Sequence, residues 1–194
     1  YGGANVAKPL HVGHLRSASI GEALKRLAIR MGNEAVGDVH LGDFGLQMGL
    51  IIGELEERGE LEKDFTIGEL EEIYPLASAK AKEKNADGSL KNEEYANRAK
   101  DITVRLQKGE EKYKKVWEKI MKVSIADLKK NYDALDVHFE IWKGESDAEP
   151  YFPRLIEILE EKGLSYRSNG ALVVDIAEPG DKKELPPCMI LKSD

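Results

Sequence analysis

Cysteine is almost absent from this chain. Cys188 is the only one in 194 residues, which excludes an internal disulfide framework and a cysteine-rich zinc module. Its place in an apolar, strand-like run makes it an expected core residue rather than a nucleophile. Long apolar runs are missing as well. No stretch approaches the ~20 residues of a membrane span, and no charged-then-apolar signal opens the chain. The expectation is a cytoplasmic protein with no membrane partner. An initiating methionine is lacking too. The chain opens Tyr1-Gly-Gly-Ala-Asn5 and stops at Lys192-Ser-Asp194, so both ends look cut from something longer. Positive charge is in short supply: 29 Lys and Arg against 36 Asp and Glu leave a net of −7. Taken whole, that balance weighs against a nucleic-acid partner, whose phosphates call for Lys and Arg.

What is present is enough to fold. Apolar residues make up 41% of the chain, and the length suits one large or two small domains. The acidity is uneven. Residues 1–53 carry five basic and four acidic groups, residues 54–115 carry 13 and 16, and residues 116–194 carry 11 and 16. The first segment is therefore slightly basic, and the whole-chain sum says little about what it binds.

The first segment reads as nucleotide-fold material. A helix is predicted from about His14 to Met31, with Ile20, Leu24, Leu27, Ala28 and Met31 as its apolar stripe and Gly32-Asn33 as its stop. A strand is predicted at 35–40. Gly42-Asp43-Phe44-Gly45 then turns into a helix at 46–57. With a strand end before residue 5, this makes a parallel α/β unit. Residues 59–134 read as polar helices, with Thr66…Glu69 and Ser124…Asp127 as capping boxes and Asn85–Gly88 as a turn. Two stripes, Tyr113/Val116/Trp117/Ile120 and Ile125/Leu128/Tyr132/Leu135, are expected core. Residues 135–194 return to α/β. Val137, Phe139 and Ile141 alternate as a half-buried strand, and a helix covers 148–162. Asn169-Gly170 joins a hairpin, and a last strand runs 188–192. The resulting division is 1–58, 59–134 and 135–194.

One constellation carries chemistry: Asn5-Val-Ala-Lys8-Pro-Leu-His11-Val-Gly13-His14 at a strand-to-helix turn. A helix N-terminus attracts phosphate. His11 and His14 add donors on the same side. Gly13 would let a flat group such as adenine approach the backbone, and Lys8 brings a cation. Stabilising charge at phosphorus is the main task in phosphoryl or nucleotidyl transfer. Taken alone, the pattern also fits a helix cap or a two-histidine metal site. His40 and His138 have no ligand-like spacing to the pair, so no metal site is expected.

These residues resemble a family. Residues 1–17 with His11-Val-Gly-His14, and Gly37-Asp-Val-His-Leu-Gly-Asp-Phe-Gly-Leu-Gln-Met-Gly49, look like arginyl-tRNA synthetase, a class I aminoacyl-tRNA synthetase whose "HIGH" signature the first block matches. Phe139–Ser146, Gly170–Asp175 and the stretch from Pro186 on resemble later parts in the same order. The resemblance implies an α/β fold: the first half of a Rossmann-like (HUP-type) parallel sheet with a mostly helical insertion and a β-hairpin. It implies ATP, with Mg2+ carried by ATP, as the cofactor, and L-arginine and its tRNA as partners of a monomeric parent enzyme.

His11 and His14 match the histidines that hold ATP phosphates, and Gly13 matches the position against which adenine packs. Lys8 matches a lysine that supplies charge where the second signature ("KMSK") is degenerate. Asn5 matches the contact to the amino and carboxylate end of arginine. Gly3 stands where many members have Ser. Asp43 and Gln47 fall in the second block and are expected at the pocket floor, or else as a capping Asp and a surface Gln. The KMSK-like loop, the guanidinium readers and the tRNA-contacting domains have no counterpart, so a fragment of a ligase, inactive alone, is expected. The rival readings are a small HxGH nucleotidyltransferase and a non-catalytic synthetase-like module.

Overall fold

In the computed structural model, which describes residues 1–183 and 185–192, the chain divides into two units, Tyr1–Ser146 and the part from Asp147 on. The first unit is built on parallel pairing. The extended start of the chain lies beside β1 (Asp38–Leu41), with Gly2 opposite Val39 and Asn5 opposite Gly42. On its other side, β1 pairs in parallel with β2 (Ile141–Gly144). β2 begins later than the alternation Val137/Phe139/Ile141 suggested. Its register starts at Asp38↔Ile141, and Asp136, at φ 53, turns the chain just before it. Val137 is buried while Ile141 is exposed, so the alternation belongs to an approach loop rather than a strand.

Between the first strand end and β1 runs α1 (Val12–Arg30). Its buried face is not the apolar stripe. Ile20, Leu24, Leu27 and Met31 are all more than half exposed, whereas Ala18, Gly21, Glu22 and Lys25 are buried. Small size and paired charge set this face. A Cβ on Gly21 would fall 2.0 Å from the Tyr1 ring, so the helix sits directly on that aromatic. Glu22 accepts hydrogen bonds from Tyr1 Oη (2.8 Å), Arg26 Nε (2.8 Å) and the His138 backbone N–H (3.3 Å). The Lys25 ammonium bridges Glu22 and Glu140, at 3.1 Å to each. Burial alone would raise the Glu22 carboxyl. The hydrogen bonds from Arg26, Tyr1 and Lys25 outweigh it and hold the group down at about 2.

α2 (Leu46–Glu57) follows the glycine turn as expected and is the most buried helix, with Met48, Ile51, Ile52 and Leu55 in the core. α3 (Ile67–Lys82) starts at a reciprocal capping box. Thr66 Oγ1 accepts from Glu69 N, and Glu69 Oε2 accepts from Thr66 N (2.8 Å). α4 (Glu93–Gln107) follows a turn at Asn85–Gly88. It packs so closely on α2 that a Cβ on Gly49 would lie 2.0 Å from the Ala99 carbonyl oxygen and 2.1 Å from Thr103 Oγ1. A Cβ on Gly53, one turn on, would meet Ile102 at 3.4 Å, an ordinary contact. Gly49→Ala is therefore expected to cost stability near the top of the ~1–3 kcal/mol overpacking range. Gly53→Ala should be neutral or stabilising through helix propensity. Urea unfolding of the two variants side by side checks this.

α5 (Glu111–Ala134) is one continuous helix. The expected cap at Ser124 is absent because Ser124 is buried mid-helix and its hydroxyl has a distant partner, the backbone N–H of Ala7 (2.9 Å). Tyr113, Val116, Ile120, Leu128 and Tyr132 are core as expected, but Leu135 is exposed. These residues share one apolar cluster with Val6, Val39, Leu41 and the core of α2, so the helices and the sheet bury one another.

In the second unit, Pro150 falls within a short 3-10 stretch, and α6 starts only at Phe152 (Phe152–Glu161), with Pro153 in its first turn, where a missing N–H is tolerated. The predicted helix from 148 is shortened accordingly. β3 (Ser165–Ser168) and β4 (Ala171–Val174) form the predicted hairpin, with Asn169 and Gly170 both at positive φ, as an Asn-Gly turn of this length favours. β5 (Cys188–Leu191) pairs antiparallel with β4. Cys188 is exposed, not core. Only the central strand buries its side chains, at Ala171, Leu172 and Val173, while the edge strand leaves Met189 and Leu191 exposed.

Candidate functional site

The turn from the first strand end into α1 is shaped from several directions. Ala7 holds a left-handed conformation, φ 57, which costs a residue with a Cβ roughly 1–2 kcal/mol. Its N–H is satisfied by Ser124. Gln47 Nε2 donates to the carbonyls of Val6 (3.1 Å) and Gly42 (3.0 Å), tying this turn to the one after β1. Gly42 leaves room for Asn5, whose Oδ1 lies 2.2 Å from where a Cβ would stand.

At the helix start, the two histidines cap each other's backbone. His11 is the N-cap, and its Nδ1 accepts from the Gly13 N–H (3.1 Å). The Nδ1 of His14 accepts from the His11 N–H (3.3 Å). The rings stack with centroids 3.8 Å apart. Both Nδ1 atoms are thus acceptors, so each neutral ring carries its proton on Nε2 and offers that N–H outward. Burial lowers the His14 pKa first, and the nearby His11 and Lys8 lower it further, so His14 is held neutral. A Cβ on Gly13 would come within 2.9 Å of the His11 ring, so a side chain there would push that ring from its capping position.

A cleft of about 420 Å³ opens at this turn, lined by Asn5, Lys8, His11 and His14 together with Glu71, Tyr74 and Pro75 of α3. That volume lies within the range of small-molecule sites. Four of the sequence-derived candidates thus share one cleft, with Gly13 in the turn behind them. The Lys8 ammonium lies over the Tyr74 ring, 4.1 Å from its centroid.

Besides Gly13, three candidates lie off the lining. Gly3 meets the neighbouring strand, where a Cβ would stand 3.3 Å from the His40 carbonyl oxygen. Gln47 acts on backbone, as above. Asp43 is buried and accepts from Ser146 N (3.1 Å) and Ser146 Oγ (2.6 Å). It neither caps α2, whose N-cap is Gly45, nor reaches the cleft. The sequence did not disclose the α3 wall. Tyr74 adjoins the buried stripe Leu70, Ile73 and Ala77, and nothing in that spacing marks it as a cleft residue.

A parallel sheet whose first turn presents two imidazole donors and a cation at a helix N-terminus has the form of a nucleotide-binding α/β domain. The comparisons make this specific. The family described as class I tRNA synthetases (R), catalytic domain, matches residues 1–194, and the chain belongs to it. It is 55% identical to the arginine–tRNA ligase of Agathobacter rectalis and 47% identical to that of Alkaliphilus oremlandii, in both cases over all of this chain and 34% of the relative. Its fold matches that of arginyl-tRNA synthetase from Plasmodium falciparum with a TM-score of 0.75 at 25% identity, over 100% of this chain and 32% of that one. The chain spans about a third of the length of the curated relatives it matches.

Proposed function

We propose that the full-length protein carrying this chain ligates L-arginine to its tRNA through arginyl-adenylate, and that these 194 residues supply the phosphate-binding part of the site. The observation that carries this reading is the pair of imidazoles capping the α1 N-terminus, in one cleft with Lys8. The arginine carboxylate attacks the α-phosphorus of ATP in line, a P–O bond forms, and pyrophosphate leaves. The arginyl group then passes to a hydroxyl of the terminal adenosine. His11, His14 and the Lys8 ammonium stabilise the charge on the phosphate oxygens, fixed in place before the reaction. Mg2+ arrives with ATP. Gly13 faces adenine, and Asn5 holds the amino and carboxylate end of arginine.

Gly3, Asp43 and Gln47 act behind the arginine pocket: Gln47 through the Val6 carbonyl, Asp43 through Ser146. Residues 1–58 and 135–194 belong to the catalytic fold and 59–134 to its insertion. The parent works as a cytoplasmic monomer, and this piece alone is inactive. The test is arginylation by the full-length protein with ATP, Mg2+, labelled L-arginine and tRNA. Arginine-dependent charging, absent with the 194-residue chain alone, is the expected result. Adenylylation of a pantetheine-like acceptor, or full activity from the 194 residues, would overturn the reading.

A further inference from the structure

Some cations of the chain are neutralised locally and others are not. Lys25, Arg26, Arg58, Lys80, Arg98, Arg105 and Lys112 all have carboxylate partners. Lys8 has none among the described residues. Its one described partner is the face of Tyr74. The Tyr74 hydroxyl has no hydrogen-bond partner among the described residues.

Both residues stand on fixed supports. Tyr74 packs on the core and rides on α3, which is anchored by its capping box and by Leu70, Ile73 and Ala77. Lys8 follows Ala7, whose left-handed backbone is held by Ser124 on α5. The two side chains meet inside the cleft that holds His11 and His14.

The choice of an aromatic partner has a chemical reason. A carboxylate paired with Lys8 would cancel its charge and repel an incoming phosphate; Glu71 lines the same cleft but makes no ion pair with Lys8 among the described residues. A ring face attracts the ammonium through its quadrupole without presenting an anion, so the lysine is ordered while its full charge remains available. We propose that Tyr74 is a positioning residue of the phosphate site. Its ring holds the Lys8 ammonium at the cleft wall in the orientation from which it meets an anionic ligand. This rests on the nucleotide reading above.

The test is a double-substitution cycle in the full-length protein, read as kcat/KM for ATP in arginine- and tRNA-dependent pyrophosphate exchange and as ATP affinity by calorimetry. Tyr74→Leu is expected to weaken both about tenfold, the scale of one desolvated cation–π contact, and to cost less than about twofold once Lys8→Met is present. Tyr74→Phe, which keeps the ring, should stay near the wild type. Trifluorophenylalanine at position 74 keeps the shape and removes the ring's negative face, so it should behave like Tyr74→Leu. It also decides the matter if the leucine variant does not fold. An equal loss from Tyr74→Leu with and without Lys8, or no loss from the fluorinated ring, overturns the proposal while leaving the nucleotide site standing. An ATP affinity untouched by Lys8→Met overturns the Lys8 role and this proposal with it. No ATP binding by the full-length protein overturns the nucleotide reading itself.

Discussion

Replacing His11 and His14 together by alanine is expected to lower adenylation by the full-length protein at least about a thousandfold, the upper range for loss of one preorganised donor to a developing anion. The structure makes the rings carry two tasks at once. Each Nδ1 caps backbone, and each Nε2–H is left for the cleft. Alanine removes both, so a rate loss from it alone would not separate chemistry from helix capping. His11→Asn separates them. Asparagine is among the best N-cap residues, so α1 should keep its stability while the outward imidazole donor is lost. Pyrophosphate exchange reduced ~100-fold or more in His11→Asn, with an unchanged melting temperature, is the expected outcome. A variant with normal exchange would show that His11 is only a cap.

The second large effect lies away from the cleft. Glu22→Ala removes the carboxylate shared by Tyr1, Arg26 and Lys25 and should destabilise the chain by ~1.5–3 kcal/mol, the scale of lost charged hydrogen bonds, because Lys25 keeps Glu140 and the His138 carbonyl. The charge also fixes a pH dependence. The Glu22 carboxyl sits at about 2 in the folded chain against an ordinary value of 4.5. Its contribution is therefore fully present above pH 4.5 and is lost as the pH falls from there towards 2. Urea unfolding of the 194-residue chain can be followed through its two tryptophans, Trp117 and Trp142. It should show a wide gap between wild type and Glu22→Ala at pH 7 that closes steadily below pH 4.5. A gap independent of pH would mean that lost packing, not charge, accounts for the difference.

These two sites also mark what was legible in the sequence. Features governed by neighbours in the chain were readable. α2 falls on 46–57 because glycines bracket a dense apolar run. Thr66 and Glu69 form their box, and Asn169-Gly170 makes its turn. The fold class and the gathering of Asn5, Lys8, His11 and His14 followed from the motif block. Features governed by distant partners were not readable. Glu22 and Lys25 look like surface charges until Tyr1, His138 and Glu140 close over them. The stripe from Ile20 to Met31 has a helical period whichever side it faces. Ser124 has the spacing of a cap, yet its acceptor role is set by a backbone group 117 residues away. Asp43 looks like a turn residue until Ser146 reaches it. The exposure of Cys188 belongs with these, since an apolar run does not say whether its strand is central or at an edge.

The Ser124–Ala7 bond has a consequence for assembly. Residue 7 leaves the ribosome long before residue 124, yet its strained backbone is satisfied only when α5 arrives. A contact spanning that much chain forms late, after the local helices, because its loop must first be closed. The signature is therefore synthesised before the helix that satisfies it and takes its working shape only after that helix has folded behind it.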